Sequence, residues 1–101
     1  MTTRNPKRRP THPGALLRED VLPAAGISQA ELAQRMGVSR LTVSEIIHEK
    51  RAVTADIAHR LGRVFGNGPE LWLNMQKAVD LWEAEQANHR EYARIKPLQA
   101  A

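Results

Sequence analysis

The chain has 101 residues, a formal net charge of +4 and no cysteine. That length accommodates one small domain with one modest core, and without thiols neither a disulfide framework nor a thiolate zinc site can form. No long apolar run is present, and no apolar stretch follows the basic start MTTRNPKRRP. The sequence therefore predicts a cytoplasmic protein that does not span a membrane.

The positive charge lies toward the beginning of the chain. Residues 1–27 carry five Lys or Arg side chains against two Asp or Glu, residues 28–66 carry six against four, and residues 67–101 carry four against five. A basic first part of the chain and a neutral or acidic last part suit a protein that binds a polyanion with one side and another partner with the other side. A solvated tail without a partner is the alternative interpretation of Lys7, Arg8 and Arg9.

Proline, glycine and capping residues mark the first two helices of a chain whose helical periodicity indicates an all-α fold. The first helix is predicted to begin near Pro13, a favourable first helical residue, and to end before Pro23. The segment AAGI then forms a turn. The second helix is predicted to begin at Ser28, which forms a capping box with Glu31, and to run to Gly37.

Ser39 and Thr54 are the predicted N-caps of the next two helices. The apolar residues of both helices recur at helical spacing, which predicts faces that pack in the core. These residues are Val43, Ile46 and Ile47 in the third helix, and Ile57, Ala58, Leu61, Val64 and Phe65 in the fourth.

A longer fifth helix is predicted from Pro69 to about residue 88, with Glu70 placed favourably for the helix dipole. Its main apolar stripe consists of Leu71, Met75, Ala78, Val79 and Trp82, and the stripe is widened by Trp72, Leu73 and Leu81. Because this surface is broader than one packing face needs, we predict a second partner, such as another copy of the chain. The predicted organisation is a flexible basic tail over residues 1–11, a helix-turn-helix domain over 12–90 and a C-terminal extension over 91–101.

The second and third helices have the spacing of a helix-turn-helix motif. Ala33 is small enough to let a near-perpendicular helix approach closely, and Gly37 ends the second helix where a left-handed backbone conformation is needed. With the apolar residues of the third helix turned inward, its polar side chains face outward or toward the rim. These side chains are Arg40, Thr42, Ser44 and His48. A merely solvated polar face is the alternative interpretation.

The polar face of the third helix suits the major groove of DNA, which admits a helix and displays hydrogen-bond donors and acceptors. Arg40 is the leading candidate for reading a base, because bidentate contacts of Arg to guanine are the commonest specific ones. Gln29, Lys50 and Arg51 are predicted to contact phosphates. Leu41 keeps two interpretations, a contact with a thymine methyl group or packing against the domain.

Three segments that span roughly residues 12 to 82 carry a family pattern. They are HPGALLREDVL, SQAELAQRMGVSRLTVSEIIHEKRAVTADIAHRLGRVFG and GPELWLNMQKAVDL. Together they resemble the HigA-type antitoxins, within the larger group related to phage Cro and repressor domains. The HPG opening and the PELWLNMQ segment, with Trp72 and Gln76, narrow the resemblance to the antitoxins.

The resemblance implies a compact five-helix domain of the repressor-like type, a homodimer, and binding to the promoter of its own operon. It also implies a complex with a HigB-type toxin, an endoribonuclease that cleaves mRNA. The DNA-reading positions of the family fall on Ser39, Arg40, Thr42 and Ser44, with the neighbouring Gln29, Lys50 and Arg51.

One position departs from the family pattern. Where relatives commonly have NGKR this chain has HEKR, so Glu49 occupies a position usually held by glycine. A left-handed backbone costs a non-glycine residue on the order of 1 kcal/mol, and we therefore expect the helix to end one residue differently. The carboxylate of Glu49, beside Lys50, is also expected to weaken phosphate contacts by this turn.

No metal, cofactor or catalytic site is predicted. The histidines at positions 12, 48, 59 and 89 are scattered, and no pair has the i, i+4 spacing of a helical zinc site. His12 is instead expected to help cap the first helix. Trp72 and Trp82 are interpreted as core or interface anchors rather than a platform for stacking bases. An enzyme is therefore not expected.

The function most consistent with the sequence is that of a homodimeric antitoxin that represses its own operon and neutralises a ribonuclease toxin. Two alternatives stay open. One is a stand-alone Cro-like regulator without a toxin, and the other is an interaction protein whose helix-turn-helix no longer binds DNA. An adjacent reading frame for a small basic protein would favour the antitoxin. A gel shift with the upstream DNA would distinguish both DNA-binding functions from the interaction protein that no longer binds DNA.

Overall fold

The computed structural model describes residues 8–98, and within that range the chain forms five helices and no strand. This confirms the predicted all-α, five-helix fold. Helix α1 covers residues 13–25 in three contiguous parts, α-helical Pro13–Leu16, π-helical Leu17–Val21 and α-helical Leu22–Ala25. The remaining helices are α2 at Gln29–Met36, α3 at Arg40–Ile47, α4 at Ala55–Phe65 and α5 at Glu70–Ala93.

The predicted N-caps of α2, α3 and α4 are confirmed. Ser28 Oγ accepts the backbone N–H of Glu31 at 3.0 Å, and Ser39 and Thr54 cap their helices in the same way. The reciprocal half of the capping box is replaced, because the carboxylate of Glu31 binds Arg35 at 2.8 Å. Gly37 ends α2 in the left-handed conformation, with φ 72°, as the sequence predicts.

The predicted end of the first helix before Pro23 is wrong. Pro23 lies inside the last part of α1, and the helix ends at Gly26, whose φ is 69°. The π-helical part, Leu17–Val21, lies before Pro23, and there the N–H of Leu22 donates to the carbonyl of Leu17, five residues back. The backbone hydrogen bonds of this part are therefore shifted by one residue from the α-helical pattern. Because the proline interrupts a ladder that is already shifted, the helix continues through it.

The core lies between α1, the α2–α3 pair, α4 and the first half of α5. Ala33 is 2% exposed and α2 lies against α3, so the predicted close packing of the two helices is confirmed. The N–H of Val38 donates to the carbonyl of Ala33 at 3.0 Å and closes the end of α2. Gly14 supports the other side of α3, since a Cβ atom there would overlap the carbonyl oxygen of Ile46. The buried apolar residues include Leu17, Leu32, Val43, Ile46, Ile47, Ile57, Ala58 and Leu61.

Helix α5 differs from its prediction in two ways. Its core-facing line is Trp72, Gln76 and Val79, and not the stripe through Leu71, of which only Val79 is buried. The buried amide of Gln76 explains its place there, because it accepts the N–H of Val53 at 2.8 Å and donates to Asp80 at 2.9 Å. The predicted end near residue 88 coincides with a kink at Asn88, beyond which the helix continues to Ala93.

Among the described residues, no helix is long and apolar enough to cross a membrane.

Candidate nucleic-acid interface

The first turn of α3 presents two hydroxyl groups in an ordered arrangement. Ser39 Oγ accepts the backbone N–H of Thr42 at 3.1 Å and lies 2.9 Å from Thr42 Oγ1. The Ser39 hydroxyl thus both caps the N-terminus of α3 and holds the Thr42 side chain in place. Ser39 remains exposed and Thr42 is half-buried, so the structure keeps both predicted site residues on the outer surface of the motif.

Arg40 and Leu41 follow this cap and both face outward. Arg40 is exposed and forms no ion pair with any side chain of residues 8–98. Leu41 is 66% exposed, which contradicts packing against the domain, and its contact with a thymine methyl group stays a prediction. A cation without a partner beside an exposed apolar side chain has the groups that can read a guanine edge and a thymine methyl.

Arg40 also borders an open cleft of about 870 Å³ between α2 and α3. Ser28, Gln34, Arg35 and Ser39 line the same cleft. Gln34 and Arg35 were missed by the sequence reasoning, although Gln34 follows the inward-facing Ala33 and is therefore placed on the outer face of α2. Both side chains are exposed, and Gln34 can hydrogen-bond to a polyanion beside α3, whereas Arg35 is paired with Glu31 at 2.8 Å.

Gln29 and Lys50 lie at the two ends of the motif. Gln29 is the first residue of α2 and is exposed, in the position expected for a contact with phosphate. Lys50 follows α3, is exposed and forms no ion pair within the described part of the chain. Each is therefore available to a phosphate without first breaking a contact within the domain.

Ser44 and Arg51 are engaged within the domain. Arg51 binds Glu45 through Nη2 at 2.7 Å and Nε at 2.9 Å, so its charge is paired with a carboxylate of α3 itself. Ser44 is half-buried, with its hydroxyl 3.4 Å from His48 Nδ1. Contact between DNA and Arg51 thus requires either an exchange of partners or the retention of an Arg51–Glu45 pair beside the phosphate.

Glu49 adopts the left-handed conformation, with φ 62°, and is the only non-glycine residue with positive φ in the described chain. The expectation that it avoids this conformation and moves the helix end is therefore wrong. Two backbone hydrogen bonds close the turn. The N–H of Glu49 donates to the carbonyl of Ile46 at 3.0 Å, and the N–H of Lys50 donates to the carbonyl of Glu45 at 2.7 Å. The chain thus makes the terminating turn that glycine favours, with a carboxylate attached to it.

The carboxylate of Glu49 binds two arginines that the sequence reasoning did not identify. Arg9 Nη1 lies 2.7 Å from Glu49 Oε1, and Arg18 Nη2 lies 3.5 Å from Glu49 Oε2. Hydrogen bonding to Arg9, together with the positive charges around it, lowers the pKa of Glu49. Arg18 also donates to the carbonyl of Ile47 and so caps the end of α3. Arg9 and Arg18 are 40 and 31 residues from Glu49 along the chain, so no local sequence pattern predicts these contacts.

His12 takes the structural role expected of it. It is 4% exposed, and its Nδ1 accepts the backbone N–H of Gly14 at 2.9 Å, which caps α1. Burial lowers the pKa of His12 because it disfavours the charged imidazolium. Among residues 8–98, no three His, Cys, Asp or Glu side chains are grouped so that they could hold a metal ion.

Comparison with known proteins relates this geometry to a family. A helix-turn-helix family model matches residues 17–73. The chain is similar to antitoxin HigA-1 of Vibrio cholerae serotype O1, with 43% identity over 95 residues that cover 94% of this chain and 90% of the relative.

Two solved structures extend the similarity. The Pseudomonas aeruginosa antitoxin HigA with the higBA promoter superposes with a TM-score of 0.84 at 41% identity, covering 90% of this chain and all of that one. Antitoxin GraA in complex with its operator also has a TM-score of 0.84 at 41% identity, covering 98% of this chain and all of that one.

Proposed function

The chain belongs to the HigA-type antitoxins of the helix-turn-helix family, and from that premise we propose that it binds the promoter of its own operon as a repressor. The observation that carries the proposal is the exposed first turn of α3, where Arg40 has no ion-pair partner among the described residues. Relatives of the same fold are HigA with the higBA promoter and GraA with its operator. We therefore propose a cytoplasmic protein that acts by binding DNA and not as an enzyme.

Base reading is assigned to the first turn of α3 and backbone contact to its surroundings. Arg40 reads a guanine, and Leu41 contacts a neighbouring thymine methyl. Gln29 and Lys50 bind phosphates from the two sides of the motif and fix its position on the duplex. Ser39, Thr42, Ser44 and Arg51 complete the proposed DNA surface. Of these, Arg51 contributes less than Lys50, because it is already paired with Glu45.

A homodimer is the proposed binding form. One recognition helix reads only a few base pairs, and two-fold dimers of such domains read half-sites about one helical turn, roughly 34 Å, apart. On α5, Leu71, Leu81 and Tyr92 are 44%, 66% and 43% exposed, which is more apolar surface than the core requires. A second copy of the chain covers this surface, with Trp82 at its edge.

The second proposed activity is neutralisation of a HigB-type toxin, an mRNA-cleaving ribonuclease. It is supported by the antitoxin name of the Vibrio cholerae relative, which the chain matches over most of both lengths. A stand-alone regulator has the same helix-turn-helix, so only the partner separates the two functions. The acidic last third of the chain suits a basic protein partner.

Titration of the upstream DNA of the gene tests the DNA-binding proposal. We expect the wild-type protein to prefer this DNA over a scrambled duplex by about a thousandfold at physiological salt. Hydroxyl-radical footprinting is expected to protect two patches about 10 base pairs apart, and light scattering to give the mass of two chains. Equal affinity for both duplexes, or a single protected patch with a monomeric mass, would contradict the proposal.

Co-expression with the adjacent reading frame tests the antitoxin proposal. We expect the two products to co-purify, and growth arrest by the neighbour alone to be relieved by this chain. A neighbour that neither binds the chain nor arrests growth would leave the stand-alone regulator as the function.

A further inference from the structure

A chain of four charged side chains joins the end of α3 to both the N-terminal segment and α5. Arg9 binds Glu49 through Nη1 at 2.7 Å and Glu83 of α5 through Nη2 at 3.1 Å and Nε at 3.3 Å. Arg18 of α1, whose Nη2 binds Glu19 at 2.8 Å, also lies 3.5 Å from the second oxygen of Glu49. The Glu49 side chain is 24% exposed, less than either arginine, so the carboxylate is the enclosed member of the group.

The position of Glu49 creates an electrostatic difficulty for DNA binding. It lies directly before Lys50 and Arg51, in the turn whose cations are proposed to meet the phosphate backbone. An unpaired carboxylate there repels phosphate at short range and offsets the attraction of Lys50. Glycine at the same position would satisfy the left-handed backbone without adding a negative charge.

Arg9 removes this difficulty by its geometry. Its bond to Glu49 Oε1 turns the carboxylate toward the N-terminal segment and α5, and Arg18 holds the other oxygen toward α1. Both oxygens are thereby engaged by cations that belong to the domain. Glu83 in turn fixes the guanidinium of Arg9 from the opposite side.

We propose that Arg9 is a positioning residue for DNA binding, which acts by neutralising Glu49 and holding its carboxylate away from the phosphate backbone. The proposal rests on the proposed DNA-binding function. It differs from a direct contact between Arg9 and phosphate in one testable respect. If Arg9 acts through Glu49, it is needed only while Glu49 carries its charge.

A double-mutant cycle tests this dependence. The proteins are the wild type, Arg9→Ala, Glu49→Gln and the double variant, each titrated against the upstream duplex and a scrambled duplex at low salt. We expect Arg9→Ala to weaken binding to both duplexes by roughly fivefold, and the double variant to return to within about twofold of the wild type. The double variant restores the wild-type net charge, so its recovery is interpreted together with Glu49→Gln. If Arg9 already neutralises Glu49 in the wild type, Glu49→Gln alone binds within about twofold of the wild type. If the two charges act on DNA independently, Glu49→Gln binds roughly fivefold more tightly, and that result would overturn the proposal.

Two controls complete the experiment. Arg94→Ala removes an arginine from the exposed Arg94–Glu91 pair at the far end of α5 and is expected to change affinity by less than twofold. Circular dichroism and thermal unfolding show whether each variant is folded, and Arg9→Gln replaces Arg9→Ala if the latter is not.

The outcomes separate this proposal from the function on which it rests. A double variant as weak as Arg9→Ala would overturn the proposal and assign Arg9 to a phosphate contact, and an unchanged Arg9→Ala would overturn it as well. A wild type without preference for the upstream duplex would contradict the repressor function alone. Recovery in the double variant on the scrambled duplex still supports the role of Arg9, because repulsion between Glu49 and phosphate does not depend on sequence.

Discussion

The two ends of α3 are built on different principles. At its beginning, Ser39 caps the helix with a short local contact, and Arg40 and Leu41 are exposed without an ionic partner among residues 8–98. At its end, Glu49 and Arg51 are both held in ion pairs. The beginning is organised by neighbours in sequence, whereas at the end Glu49 is bound by Arg9 of the N-terminal segment and Arg18 of α1.

This difference indicates a division of labour within one short helix. A side chain that reads bases must exchange water for DNA without first losing a partner within the protein, which favours an unpaired Arg40. A helix end that carries a strained residue needs long-range contacts to hold it, which the Arg9 and Arg18 bonds to Glu49 provide. In the proposed complex with DNA, specificity therefore comes from the first turn of α3, and the last turn holds the helix in its orientation.

The largest expected effect comes from disrupting the contact between Gly14 of α1 and the last turn of α3. Gly14→Ala places a methyl group on the carbonyl oxygen of Ile46, so we expect the free energy of unfolding to fall by about 3 kcal/mol. Urea denaturation measures it. The matched control is Gly66→Ala, which meets no atom within 4 Å but keeps a positive φ, and should cost about 1 kcal/mol. Equal losses for the two variants would show that α1 does not press against α3.

Removing the exposed cation at the first turn should affect specificity and leave stability unchanged. We expect Arg40→Ala to lose roughly 1 to 3 kcal/mol of operator binding while its affinity for a scrambled duplex changes much less. Titrations of both duplexes at one salt concentration measure the difference. An equal loss on the two duplexes would assign Arg40 to phosphate instead of a base.

A smaller effect distinguishes the two cations that follow α3. Lys50→Ala should reduce the slope of log affinity against log salt by about one unit on any duplex, because it removes one phosphate contact. Arg51→Ala should reduce that slope by less, since Arg51 is paired with Glu45 in the free protein. Titrations over a salt series give both slopes. A larger change for Arg51→Ala would mean that it leaves Glu45 when DNA binds.

The smallest expected effect is a pH dependence of the free energy of unfolding, caused by His12, which caps α1. Burial lowers the pKa of His12 below its ordinary value of 6.5, so the unfolded chain takes up the proton first as the pH falls. The stability contribution of His12 is therefore complete well above pH 6.5 and declines as the pH falls below that value. Urea unfolding at several pH values should show a shallower decline for His12→Asn, whose amide oxygen accepts the Gly14 N–H at either pH. The exposed His59→Asn is the control, and a decline equal in His12→Asn and the wild type would contradict this role.

The parts of the fold that could be predicted from sequence are those decided within a few residues. Ser28, Ser39 and Thr54 each bond to an N–H three residues ahead, and Gly37 takes the left-handed conformation that its position requires. Such contacts leave a readable pattern because partner and helix end are close in the chain.

The parts that could not be predicted depend on distant partners. Gln76 is polar, and only its bond to Val53, 23 residues away, explains why it faces the core in place of Met75. Pro23 is a helix breaker by local rules, but the preceding π-helical turns let α1 pass through it. The same holds for the candidate site, where Arg40 follows from helical spacing whereas Arg9 lies 40 residues from Glu49.

The most direct measurement of the central claim, that Arg40 reads a guanine from the first turn of α3, pairs a protein variant with a DNA variant. Each guanine of the footprinted half-site is replaced in turn by 7-deazaguanine, which lacks the N7 acceptor, and binding of the wild type and Arg40→Ala is compared. We predict one guanine at which the substitution weakens wild-type binding by about tenfold but leaves Arg40→Ala unaffected. Equal losses for both proteins at every guanine would contradict the claim.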